Sequence, residues 1–315
     1  MTISYTRPLE HSWERMKAVL FRKPFPIEAW FVMGLGAWLT DIFSGARHSY
    51  GWRDSKPDVG EVLGQAGDFL SSATTVAIVM AGLVMFGLVL LVVAWVSTRA
   101  QFVFLDNVVY GRAAFVEPWR RYGRLGWSQF LWQAAMSFAW LVPIGCIGVP
   151  LVPAIAGALA GRGWHVGDVL SVVVGVVFAA ISSLVIACVL ALNEDFVIPL
   201  MWRYDESATA AWARFRPLLF SRMGDFAAYL LFMFLIAILT AIGVLLAGLL
   251  TCCIGLVLMV IPYLGTVTLL PVSFVFRASG PMFLRQYGPE WDVWAGMTQA
   301  AGTAGAVDTQ ETPAN

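Results

Sequence analysis

Residues able to do chemistry are scarce in this chain, and they gather in two patterns. The first sets tryptophan beside cations: Trp13 with Arg15 and Lys17, Trp119 with Arg120, Arg121 and Arg124, Trp212 with Arg214 and Arg216. Trp13, Met16 and Leu20 are spaced i, i+3, i+7, as are Trp212, Phe215 and Leu219, so each set forms one stripe of a helix while the cations fill its other faces. Such a helix lies in the headgroup plane, stripe dipped into lipid and cations against anionic headgroups. It can capture lipid or a partner protein, or simply anchor the chain and set its orientation. The second pattern is a carboxylate set, Asp106, Glu194, Asp195, Asp205 and Glu206, from which acid–base lipid chemistry would have to be assembled. Arginines close in sequence offer these carboxylates ion-pair partners instead.

Other catalytic patterns are missing. His11, His48 and His165 are scattered, and the chain has no His-Glu-x-x-His, Cys-x-x-Cys, Gly-x-Ser-x-Gly or phosphate-binding loop. No metal or cofactor is therefore expected, and the reading is non-enzymatic. The polar candidates at membrane depth are Gln133, Ser137, Ser182, Ser183, Thr240, Thr266 and Thr268, hydroxyls and an amide of the kind that commonly bonds a neighbouring carbonyl. Cys146, Cys188, Cys252 and Cys253 lie in or beside apolar runs, as small packing residues or as an outer-face disulfide from Cys146 to Cys252 or Cys253.

The elements that position these residues follow from composition. Of 315 residues 59% are hydrophobic and 13% charged, with a mean hydropathy of +0.75. A soluble domain carries roughly 25% charged residues, so a soluble enzyme, a disordered chain and a nucleic-acid binder are all excluded. Charge-free runs cover Phe69–Thr98, Trp127–Gly161, Val169–Asn193 and Phe226–Phe276, the last long enough for two helices. A shorter apolar stretch lies between Glu28 and Asp41. Sixteen of the 20 basic residues fall in segments 1–25, 98–126, 193–225 and the tail, and four fall in the alternate segments. The positive-inside rule then places both termini in the cytoplasm, which requires an even number of crossings. The expectation is an all-α polytopic membrane protein of six transmembrane helices at about 25–44, 69–97, 127–158, 169–192, 226–250 and 254–276. These form one domain, 1–294, and 295–315 form a disordered cytoplasmic tail rich in small residues. The polar, basic start predicts an uncleaved signal-anchor.

A repeat organises the basic segments. Phe102-Val103 through Tyr110 aligns with Phe196-Val197 through Tyr204, and Trp119 to Trp127 has the spacing of Trp212 to Phe220. Tyr5, Trp13 and Phe21 repeat the pattern, and Tyr287 with Trp291 begins a partial fourth copy. Each unit reads as a short amphipathic cytoplasmic helix followed by a transmembrane hairpin, giving three parallel repeats. Pro143, Pro150 and Pro153 in the third helix and Pro262 and Pro271 in the sixth are candidate helix breaks, able to line a solute site or merely to kink.

Arg99 through Tyr110, Asn193-Glu194-Asp195-Phe196-Val197-Ile198-Pro199, and Pro271 through Tyr287 carry a resemblance to uncharacterised bacterial multi-pass proteins. The pattern is also similar in style to the membrane region attached to some glycerophosphoryl diester phosphodiesterases. It spans most of residues 1–290 and implies a bacterial inner-membrane protein, but no catalytic residue, since the acidic metal-binding barrel of those enzymes has no counterpart. The expected function is organisation of lipid, through anionic headgroups, or of a membrane partner or second copy, with no role for nucleic acid. The alternatives are a carrier or channel for an apolar or amphipathic solute and, third, a lipid-modifying enzyme.

Overall fold

The computed structural model describes residues 3–21, 27–44, 73–251 and 263–295, and among these every regular element is a helix. α1 (Thr6–Leu20) precedes α2 (Ile27–Ser44), and α3 (Ala73–Tyr110) is one helix of 38 residues. α4 (Val116–Arg121), α5 (Gly123–Ala139) and α6 (Leu141–Leu159) follow. α7 (Val166–Leu192) continues through a π turn at Asn193–Val197 into α8 (Ile198–Tyr204). α9 (Ala208–Ser221), α10 (Met223–Leu250), α11 (Leu264–Thr268) and α12 (Leu270–Leu284) complete the order. The segment with His48, residues Cys252, Cys253 and Pro262, and the tail from 296 lie outside the described residues.

Four helical stretches, Val76–Tyr110, Gly123–Leu159, Val166–Tyr204 and Met223–Leu250, are long and apolar enough to cross a membrane, which marks the chain as a membrane protein. Ile27–Thr40 is apolar but shorter. A 35-residue helix such as Val76–Tyr110 is about 50 Å long, well beyond a hydrocarbon core of about 30 Å. The surplus sits at one end, and that end is where the protein packs. In α3, Leu91 and Val92 are 54% and 57% exposed, whereas Phe102 and Leu105, only a few turns on, are 0% exposed. The apolar halves of α6, α7 and α10 are similarly bare.

At the packed end, called the hub here, the ends of α3, α7–α8 and α12 converge with α1, α5 and α9. Phe196 stands at the centre, its ring 5.5 Å from Phe215, 5.1 Å from Phe226, 5.1 Å from Tyr229 and 6.0 Å from Phe283. Each such aromatic pair is worth about 0.5–1.5 kcal/mol beyond the area it buries. A second cluster seats Met16 and Leu20 of α1 against Phe104, Val108, Phe274 and Ala278. The two chain ends meet here as well: the Ser4 N–H donates to Gln286 Oε1 (3.0 Å), and Gln286 Nε2 donates to the Ser4 carbonyl (2.9 Å).

The prolines behave differently from one another. The third expected span is two helices, parted at Trp140, because Pro143 falls in the first turn of α6, where a missing N–H leaves no bond unmade. Pro150 and Pro153 do not break α6 at all. Pro150 has no N–H for the Cys146 carbonyl, and Gly175 of α7 packs against that carbonyl so closely that a Cβ there would collide with it. Pro199 and Gly280 repeat the device. Pro199 denies the Asp195 carbonyl its α-helical donor, the chain widens into the π turn with the Ile198 N–H reaching the Asn193 carbonyl, and Gly280 of α12 closes on the Asp195 carbonyl. Pro271 stands in the first turn of α12, so the interruption lies just before it, at Leu269. Cys146 and Cys188 are free thiols.

Gly280→Ala should lower the thermal unfolding midpoint of the detergent-solubilised protein, at a cost of about 1–3 kcal/mol from overpacking. Gly224→Ala, where the added Cβ meets nothing within 4 Å, should leave the midpoint in place.

Candidate functional site

The Arg–Trp helices sort into residues that hold the hub together and residues that face outward. Arg15 turns inward, with Nε donating to the Val108 carbonyl (3.0 Å), Nη2 to that of Val109, and the guanidinium 5.2 Å from the Trp294 ring. It caps the end of α3, where a cation suits the helix dipole, and burial lowers its pKa. Trp119 receives Arg99, whose Nε bonds the Trp119 carbonyl (2.7 Å) and whose guanidinium lies 4.8 Å from the ring. Trp212 donates from Nε1 to Asn193 Oδ1 (3.1 Å) and stacks on Trp132. Arg124 pairs with Asp205 (2.7 Å), Arg214 with Glu206, and Lys17 with Glu14 (3.3 Å). Trp13, Arg120, Arg121 and Arg216 remain outward, and Arg120, Arg121 and Arg216 have no carboxylate partner among the described residues.

The carboxylates are likewise committed. Asp106 is fully buried, accepting from the Tyr122 hydroxyl at 2.7 Å and from Arg112 Nη2 at 3.0 Å. Burial, and then this bond to the carboxylate, raises the Tyr122 hydroxyl above the ordinary phenol range. Asp106 thereby ties α3 to the start of α5. Glu194 lies 3.4 Å from Arg277 Nη1, and Asp195 accepts from the Tyr229 hydroxyl at 3.3 Å. Among the described residues no group of three metal-ligating side chains occurs.

The structure also assembles what no sequence motif marks: a polar chamber between α2, α3, α5, the π turn and α12, beside the hub. One part, about 280 Å³, is lined by Thr40, Glu194, Asp195, Ser273 and Arg277 among apolar neighbours. A second, about 70 Å³, is lined by Ser97, Gln101, Gln129, Gln133, Asn193 and Trp132, and shares Thr40 and Glu194 with the first. Gln133 and Leu190 in turn line an apolar groove of about 460 Å³ between α3, α5 and α7, with Leu90, Leu91, Phe130 and Trp140. Gln101 and Gln129 are 8% and 1% exposed, and their Oε1 atoms, with that of Gln133, have no hydrogen-bond partner among the described residues. Arg277 is 7% exposed, its Nη2 donating to the Gln101 carbonyl at 3.1 Å. Charge-free runs mark spans but pass over neutral amides, so of the three glutamines only Gln133, deep in its run, stands out in the sequence. Polar residues recurring at the ends of otherwise apolar helices were the available signal for Gln101 and Gln129.

Asp106→Ala strands the buried Tyr122 hydroxyl and unpairs Arg112, so it should cost about 3–5 kcal/mol in unfolding measurements. In a double-mutant cycle Tyr122→Phe should recover part of that loss, because the stranded donor goes with it.

No curated protein and no solved structure matches the chain. Residues 4–287 match the family of unknown function DUF7544, and the chain belongs to that family.

Proposed function

We propose that the protein is a non-enzymatic, multi-pass protein of the bacterial inner membrane that organises anionic lipid through its basic amphipathic helices. In this reading six helices cross as three parallel hairpins, and the hub faces the cytoplasm with both termini. The observation that carries it is a recurrence. Phe21, Trp127 and Phe220, the matching positions of the three units, are 51%, 52% and 63% exposed. Phe21 and Phe220 sit where a short basic helix ends, and Trp127 stands in the first turns of the next helix. Arg120, Arg121 and Arg216 are exposed on the same basic segments and have no acidic partner among the described residues. Aromatic residues at headgroup level with free cations beside them are the make-up of an anionic-lipid contact. A second reading, carriage of an amphipathic solute, draws support from the chamber and its adjoining groove.

Reporter fusions at the α6–α7 loop should report the periplasm, and fusions after α12 the cytoplasm; the reverse pattern refutes the proposed orientation, and both on one side refutes the three crossings expected between them. A triple variant with Arg120, Arg121 and Arg216 changed to Gln removes about 1 kcal/mol of headgroup attraction per residue. Retention of phosphatidylglycerol over phosphatidylcholine by the purified protein should fall by about two orders of magnitude. Unchanged retention refutes the lipid-organising role.

A further inference from the structure

A buried carboxamide oxygen without a donor costs free energy unless water or a ligand supplies the proton. Here three such oxygens, on Gln101, Gln129 and Gln133, line one small cavity, and two of the three side chains are more than nine-tenths buried. Charge is unbalanced in the same sense. The cavity that the three glutamines line also holds the Glu194 carboxylate and no cationic side chain, while the Arg277 guanidinium lines the neighbouring cavity and already serves Glu194 and the Gln101 carbonyl. The cavity therefore presents unpaired carboxamide oxygens and a carboxylate as acceptors, with no cationic side chain in its own lining. A primary ammonium group brings one positive charge and three donors in a volume close to that of a water molecule. The groove that meets the chamber at Gln133 and Leu190 is lined by Leu90, Leu91, Phe130 and Trp140, surfaces suited to an alkyl chain and opening where the helices are bare.

We propose that the chamber and groove form one binding site for an amphipath with a primary ammonium head, the ammonium among Gln101, Gln129, Gln133 and Glu194 and the chain along α3, α5 and α7. The site rests on the membrane reading, because the groove opens toward lipid, but is independent of the basic helices. The π turn supplies two of its walls, since Asn193 and Glu194 line the same cavity as Gln101 of α3 and Gln129 and Gln133 of α5. A quaternary ammonium carries the charge without N–H donors, and an alcohol carries a donor without the charge, so the two isolate the two requirements.

Titration calorimetry on the full chain in mild detergent would compare dodecylamine, dodecyltrimethylammonium and dodecanol. Dodecylamine should bind saturably and at least tenfold more tightly than either of the others. Glu194→Gln, at a side chain 54% exposed and therefore tolerant of change, should weaken dodecylamine at least tenfold, and Gln129→Leu should do the same. Should Gln129→Leu fail to fold, Glu194→Gln alone decides. Native mass spectrometry then separates the sources: phosphatidylethanolamine retained over phosphatidylcholine assigns the ammonium to a lipid headgroup, and no such preference beside tight dodecylamine binding assigns it to a free amine. Equal affinity for the three amphipaths, no saturable binding, or a Glu194→Gln affinity like that of the wild type overturns the proposal. Because this readout uses amines and the test of the basic helices uses phosphatidylglycerol, either can fail while the other stands.

Discussion

A helix surrounded by lipid gains nothing from hiding leucine, since lipid tails are as apolar as the protein interior. The water-driven part of this fold must therefore be carried where the helices leave the apolar zone. Phe196 marks that place, ringed by Phe215, Phe226, Tyr229 and Phe283 from three other helices. The large side chains that these helices turn into the hub are buried, and most of those farther along α3, α6, α7 and α10 are left bare. The same division explains why the short helices matter. α1 and α9 contribute Met16, Leu20 and Phe215 to the buried clusters, so they belong to the core as much as to the surface.

Backbone polarity imposes the second constraint. In lipid each freed carbonyl must find a partner inside the protein. Pro150 and Pro199 each free one, at Cys146 and Asp195, and in each case a glycine of a neighbouring helix moves in against it. At Pro199 the adjustment also widens the helix into a π turn, and the chamber sits against that turn. Polar cavities lie against this local backbone concession, lined by residues from α2, α3, α5, the π turn and α12.

The arginines show how differently one residue type can be used. Arg15 and Arg99 are placed in the sequence much as Arg120 and Arg121 are, beside tryptophan at the edge of an apolar run. Arg15 is drawn onto the carbonyls at the end of α3 and Arg99 onto that of Trp119, because those helix ends expose acceptors nearby. Arg120 and Arg121 find no such acceptor and stay outside. The pairing of Asp205 with Arg124 and of Glu206 with Arg214 was within reach of sequence reasoning, since the partners are the cations of the same basic segments. The full burial of Asp106 was not, because it depends on Tyr122 coming back over α3.

The sequence by itself determined that the chain is helical, that it carries stretches able to cross a membrane, and where the basic helices lie. Those properties are local: a charge-free run of sufficient length has one favourable state in lipid whatever its neighbours are. Tertiary structure alone decided which faces meet. In a helix that is apolar all round no periodic stripe distinguishes the contact side, so nothing in the pattern links Thr40, Gln101, Gln129, Glu194 and Arg277. Their meeting depends on where helices from distant parts of the chain cross, and those crossings are set by glycine approaches and aromatic packing that only the assembled hub creates.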